Sequence, residues 1–189
     1  MDDCTRRIAS EGLECYTIHL EKGDNMENPY KSSSNRYIEA IEEWLGHEPS
    51  IFLAGGITGT FNWQPHISGR ILKETNLTVI NPRRSEWPGN ETDAAKIQID
   101  WGARYLAKAH AVLFWFPKET VCPIALFELG LTMEREQDIF VGHHPEYEKA
   151  FDLQEQMRIY RNNVDIVTDL DDLAQQVVDH EKDIIGISG

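Results

Sequence analysis

The sequence predicts an α/β domain, a three-layer sandwich with a five-stranded parallel sheet between two layers of helices. Three observations carry the prediction. From Ile51 onward, short apolar runs of strand length alternate with stretches of helical periodicity, the rhythm of right-handed βαβ units. The runs are apolar at consecutive positions rather than alternate ones, as strands covered on both faces must be. The chain has 189 residues, 41% of them apolar, which suits one domain with a sizeable core and excludes global disorder.

Residues 1–49 read as an N-terminal extension and residues 50–189 as the α/β domain. In the extension, residues 16–20 suit a short strand and residues 23–34 a breaker-rich loop. Tyr37, Ile38, Ile41, Trp44 and Leu45 recur at spacings of three and four, which predicts one amphipathic helix ending at Gly46. In the domain, Ile51-Phe52-Leu53-Ala54 is the first strand, closed by Gly55-Gly56, and a helix follows over 63–72. Leu77-Thr78-Val79-Ile80 is the second, closed by Asn81-Pro82, with a helix over 94–109. Residues 111–116 are the most strand-like of all and lead to a helix over about 123–134. Ile139-Phe140-Val141, a helix over 153–160, a fifth strand over 164–167 and a helix over 170–178 complete a flavodoxin-like or Rossmann-like order.

Acidic residues number 32 against 18 Lys and Arg, a formal charge of −14. That field repels nucleic acid, so no DNA or RNA partner is expected, although a few arginines can still dominate one pocket. No run reaches the ~20 apolar residues that span a bilayer, and the start has no signal-peptide pattern, so no membrane is expected. Cys4, Cys15 and Cys122 are odd in number and lack metal-like spacing, which fits reduced thiols in the cytoplasm.

In a parallel sheet of this kind, ligands sit beyond the carboxyl ends of the strands. Gly55-Gly56, followed by Ile57, lets a backbone approach a ligand and turn its N–H groups towards it; a plain tight turn is the alternative. It is neither a dinucleotide fingerprint nor a P-loop. Asn81-Pro82-Arg83-Arg84 sets two guanidiniums suited to phosphate, carboxylate or sugar hydroxyls, or else to a structural ion pair. Trp87 could stack on a flat ring or cover the core, and Trp63, at the opening of a helix, is more often core or helix cap than site. His143-His144 lacks a third ligand at metal spacing, so neither metal nor cofactor is expected. No serine has a nucleophile-elbow setting, which removes serine hydrolysis.

Glu128 is the sharpest single residue. It lies among Ile124, Leu126, Phe127 and Leu129, on a helix that Pro123 can open at its first position. A carboxylate in such company is costly unless paired or functional, and a nearby helix N-terminus favours its ionised form. Periodicity alone equally allows a solvent-facing glutamate. Asp100, beside Trp101 on the preceding helix, is more often a core or helix-cap residue than a site.

Taken in order, several segments resemble the nucleoside 2-deoxyribosyltransferases, in the deoxyribosyltransferase-like branch related to the nucleoside 5′-monophosphate N-glycosidases. They are Ile51 through Ile57, Trp63-Gln64, Val79 through Arg84 with Trp87, Gln98-Ile99-Asp100-Trp101, residues 109–116, Pro123-Ile124 and Phe127-Glu128-Leu129-Gly130. The resemblance covers roughly residues 51–178. It implies that Glu128 attacks C1′ of a 2′-deoxyribonucleoside or nucleotide and expels the base. The covalent intermediate then passes to another base (transferase) or to water (hydrolase). It further implies that Gly55, Gly56, Ile57, Asn81, Arg83 and Pro123 border the substrate, that Trp63 or Trp87 holds the base, and that the protein is a homo-oligomer. Many relatives carry an aspartate at the position of Gly102, and their Ala-Asp pair is here Ala109-His110. The acid role then falls to Asp100, roughly 200° round the helix from Gly102, provided the helix starts irregularly. A non-catalytic nucleotide-sensing module of the same fold is the competing expectation. A flavin-binding protein is disfavoured, because no Ser- and Thr-rich phosphate loop follows the first strand.

Overall fold

The structure, a computed structural model, describes residues 36–45, 47–85, 91–135 and 137–181. Its elements in chain order are β1 Tyr37–Glu39, β2 Ser50–Gly55, α1 Gln64–Glu74, β3 Thr78–Asn81 and α2 Glu91–Lys108. β4 Ala111–Phe116, α3 Pro123–Met133, β5 Asp138–His143, α4 Ala150–Tyr160, β6 Ile166–Val167 and α5 Leu170–Asp179 follow. All six strands are parallel, in the order β1-β3-β2-β4-β5-β6. The expected five strands are there, and β1 is a sixth at the edge. The expected strand at residues 16–20 lies outside the described residues.

The central strands form for a simple reason. Every residue of β4 (AVLFWF) is buried, as is all of β3 and all but the last residue of β2. A segment apolar at every position can only sit between two covering layers. Side chains alternate between them. Phe52, Ala54, Val112, Phe114 and Phe116 face α2, α3 and α4, where Trp101, Tyr105, Ala125, Leu129 and Leu153 close the core. Ile51, Leu53, Ala111, Leu113 and Trp115 face α1 and α5, against Ile67, Ile71, Leu173 and Val177. Among the described residues no helix is long and apolar enough to cross a membrane.

The helix expected over residues 37–45 is absent. Tyr37–Glu39 instead pairs with β3, Tyr37 opposite Val79 and Ile38 opposite Ile80. Trp44 is buried because α2 reaches it: its backbone N–H donates to the Tyr105 hydroxyl at 2.8 Å, and the Trp101 indole donates to the Glu42 carbonyl at 2.7 Å. Ile41 and Leu45, which a helical stripe would bury, are 46% and 72% exposed. A strand followed by one anchored tryptophan produced the helix-like spacing. Arg36 secures the start of β1 by donating to the Leu72, Thr75 and Leu77 carbonyls around the end of α1.

Candidate active site at the carboxyl edge of the sheet

Because all strands run one way, their carboxyl ends share one edge. The strand order reverses between β2 and β4, so the chain leaves β2 towards one face and β4 towards the other. The crevice of a doubly wound sheet opens at such a switch point. The loops after β2 and β4 meet there in close contact. A β-carbon on Gly55, whose φ is +149°, would stand 2.2 Å from the Trp115 carbonyl oxygen. One on Gly56 would stand 2.6 Å from the Pro117 ring. The Gly56 N–H donates to the Trp115 carbonyl at 3.3 Å. The two glycines therefore serve strand-to-strand approach, and the Gly56 amide is not turned towards a ligand.

The loop after β2 holds itself together. Trp63 is 0% exposed and its indole donates to the Gly56 carbonyl at 2.8 Å, so its ring is core and cannot stack on a base. Gln64, also buried, places its amide nitrogen 3.5 Å from the same carbonyl. Arg83 reaches across from the end of β3. It donates to the Phe61 carbonyl and Gln64 Oε1, both at 3.0 Å, and to the Ile57 and Thr60 carbonyls at 2.9 and 3.1 Å. Those contacts occupy both terminal nitrogens, and burial pulls the guanidinium below its usual pKa. Arg83 is thus a brace for the loop rather than a fork open to phosphate. Asn81 is buried as well. Its amide donates to the Tyr37 hydroxyl at 2.6 Å and its oxygen accepts the Arg83 N–H at 2.9 Å. Trp87 lies outside the described residues.

The loop after β4 is different in kind. It delivers α3, which Pro123 opens at the first position as expected, behind Cys122 in a left-handed conformation. Ala125, Leu129 and Thr132 face the sheet. Ile124, Phe127 and Leu131 are exposed, the first two at 69% and 63%. Glu128 stands between these faces, half-buried. Burial pushes its carboxyl up to about 7, with no neighbouring charge as a cause. The expected help from the helix N-terminus is outweighed, because that effect fades within the first turn and Glu128 is the sixth residue of α3.

Asp100 is exposed on α2, which is regular from Glu91 to Lys108, so the irregular start it needed to replace the acid at Gly102 is not there. A side chain at Gly102 would meet nothing within 4 Å. Gln98 ties α2 to the end of β3, donating to the Pro82 carbonyl at 2.9 Å. His143 is buried with both ring nitrogens engaged, by the His144 carbonyl at 2.8 Å and the Gln154 amide at 3.0 Å. Among the described residues no three His, Cys, Asp or Glu side chains group as a metal site.

Residues 48–147 match the family model described as nucleoside 2-deoxyribosyltransferase like. The chain belongs to that family. No curated protein matches it. The family match spans β2 to β5 and takes in the switch point, α3 and Glu128, while β1, α4, β6 and α5 lie outside it. It ends at Tyr147, a residue that sequence patterning passes over. The Tyr147 hydroxyl donates to the Val121 carbonyl at 2.8 Å, a contact between two loops 26 residues apart that no local pattern announces.

Proposed function

We propose that this family member breaks the N-glycosidic bond of a 2′-deoxyribonucleoside or its 5′-monophosphate through a covalent ester on Glu128. The observation that carries the reading is the half-buried Glu128 carboxylate, without an opposite charge among the described residues, on the helix that follows the switch-point strand. In the first step a carboxylate oxygen attacks C1′. The C1′–N bond breaks, and its electron pair leaves with the base, which takes up a proton. The ionised carboxylate stabilises the positive charge developing at C1′ and splits one difficult displacement into two easier ones. In the second step an acceptor base or water attacks C1′ and loses a proton, and the ester electrons return to Glu128. Transfer to a base is the primary reading and hydrolysis the runner-up.

Burial sets the terms of this chemistry. It makes the ionised carboxylate less solvated and more nucleophilic, at the expense of a protonated fraction near neutral pH. With Asp100 exposed and Gly102 bare, the leaving base draws its proton from solvent, which favours bases that leave readily. The same two residues support a second reading, a nucleotide-sensing module that binds without cleaving. Because Arg83 is occupied by the loop, a 5′-phosphate would have to find other partners.

The exposed stripe of Ile124, Phe127 and Leu131 supports a homo-oligomer. It carries no charge, so two chains of net charge −14 can meet there without opposing like charges. The three-cysteine count supports a cytoplasmic setting.

Chromatography of 2′-deoxyribonucleosides and their 5′-monophosphates, incubated with and without an acceptor base, tests the reading. Base release that needs Glu128, with new nucleoside formed when acceptor is present, is the expected result. Free sugar or sugar phosphate would favour the hydrolase. Silence from folded protein would favour the sensing module.

A further inference from the structure

Cys122, the residue before α3, stands at φ 54° and ψ 54°. A β-carbon disfavours that region, and a following proline restricts the residue further. Strain of this kind, of order 1–3 kcal/mol, persists only where the surroundings hold it. Here the holding group is the turn after β5. Tyr147 is 4% exposed, and its hydroxyl donates to the Val121 carbonyl at 2.8 Å, next to Cys122. Its ring lies against Phe116, centroids 5.4 Å apart, and against His143 at 6.2 Å. The His144 N–H donates to the Phe116 carbonyl at 2.9 Å, so the turn after β5 and the end of β4 are fixed to one another. The first bond of α3 runs from the Leu126 N–H to the Cys122 carbonyl at 3.0 Å, so the helix takes its position from the residues that Tyr147 holds.

We infer that Tyr147 is a positioning residue: by holding the Val121 carbonyl it fixes the start of α3 and, through the helix, the backbone of Glu128, about 9 Å along the axis from Cys122, and with it the carboxyl group. The inference rests on the reading of Glu128 as nucleophile. Burial first, with Cys122, Glu148 and Asp152 adding, holds the Tyr147 hydroxyl well above its usual pKa, so it remains a donor throughout the working range. Cys122 reports on the same joint. Its thiol is buried and pushed up to about 11 by burial, with Glu119 adding, and its sulfur lies 3.4 Å from the Thr120 carbonyl. A reagent reaches it efficiently only when the joint opens.

The test compares the protein with its Tyr147→Phe variant, both carrying Cys4→Ser and Cys15→Ser so that Cys122 is the only thiol. Phenylalanine keeps the ring contacts and removes only the hydroxyl. The expected results are labelling of Cys122 by N-ethylmaleimide about tenfold faster, and a Glu128 carboxyl that titrates below about 7. The titration is followed by NMR of carbon-labelled glutamate and assigned with Glu128→Gln. Base release should fall about tenfold in kcat with KM within about twofold, the mark of a displaced reacting group. Unchanged labelling with unchanged titration overturns the inference, and so does a rise in KM alone, which would make Tyr147 a substrate contact. Labelling and titration need no turnover. Base release that survives Glu128→Ala would instead overturn the nucleophile reading, so the two failures are distinguishable.

Discussion

α1 and α5 cover one face of the sheet, and α2, α3 and α4 cover the other, with contrasting outer surfaces. Between α1 and α5, His66 pairs with Asp171 at 2.9 Å, and Arg70 bonds Glu74, the Asp171 carbonyl and Gln175. No large apolar side chain of either helix is among the exposed ones. On the opposite layer Ile97, Ile99, Ile124, Phe127, Leu131, Phe151, Ile159 and Tyr160 are all exposed, and Glu128 sits half-buried without a charged partner among the described residues. The first layer ties its outer polar side chains to one another across the two helices. The second leaves both an apolar face and a carboxylate without such partners, and those are the features that binding and chemistry can use.

The largest expected effect separates the layers by activity. Glu128→Ala should reduce base release by at least about a thousandfold, whereas Arg70→Ala on the opposite layer should leave it within about twofold. Comparable losses in both variants, with both folded, would erase the distinction. Next, Phe127→Glu puts a charge on the apolar stripe. Light scattering should then report a smaller assembly than for the unsubstituted protein, and an unchanged mass would remove the stripe from the interface.

A third effect concerns pH. In the folded chain the Glu128 carboxyl titrates near 7, above its ordinary value, so the folded state holds this proton longer than the unfolded one. The stability advantage of the protonated group is complete at low pH and is lost as pH rises through about 7. Urea unfolding should therefore show Glu128→Gln gaining on the order of 2 kcal/mol over the unsubstituted protein between about pH 5 and about pH 8. A constant gap would mean that the carboxyl is not desolvated. The smallest effect is at Gly102 on α2, where a side chain meets open space. Gly102→Ala should stabilise the fold by about 0.5–1 kcal/mol, read by the same unfolding curves, with no change in assembly.

The sheet was readable in the sequence because burial on both faces leaves an unambiguous trace. The expected strand at 111–116 is β4 to the residue, and the helices shift by a few positions at their ends. Residues 37–45 misled for a physical reason. Apolar spacing records which side chains are large, and Trp44 owes its burial to Tyr105 and Trp101, about sixty residues away. The site divides in the same way. Glu128 stands out locally, as a lone carboxylate in an apolar helix. Trp63 and Arg83 have residue types suited to a base and a phosphate, but their roles depend on which groups take their hydrogen bonds. Those groups, the Gly56, Phe61 and Ile57 carbonyls among them, come together only in the folded loop. Tyr147 left no local trace at all.

The most direct measurement is mass spectrometry of the protein quenched during turnover with a 2′-deoxyribonucleoside and digested to peptides. A peptide containing Glu128 should be heavier by one deoxyribosyl group, and that adduct should be absent from Glu128→Ala. Base release without that adduct, or an adduct on another residue, would contradict the reading of Glu128 as nucleophile.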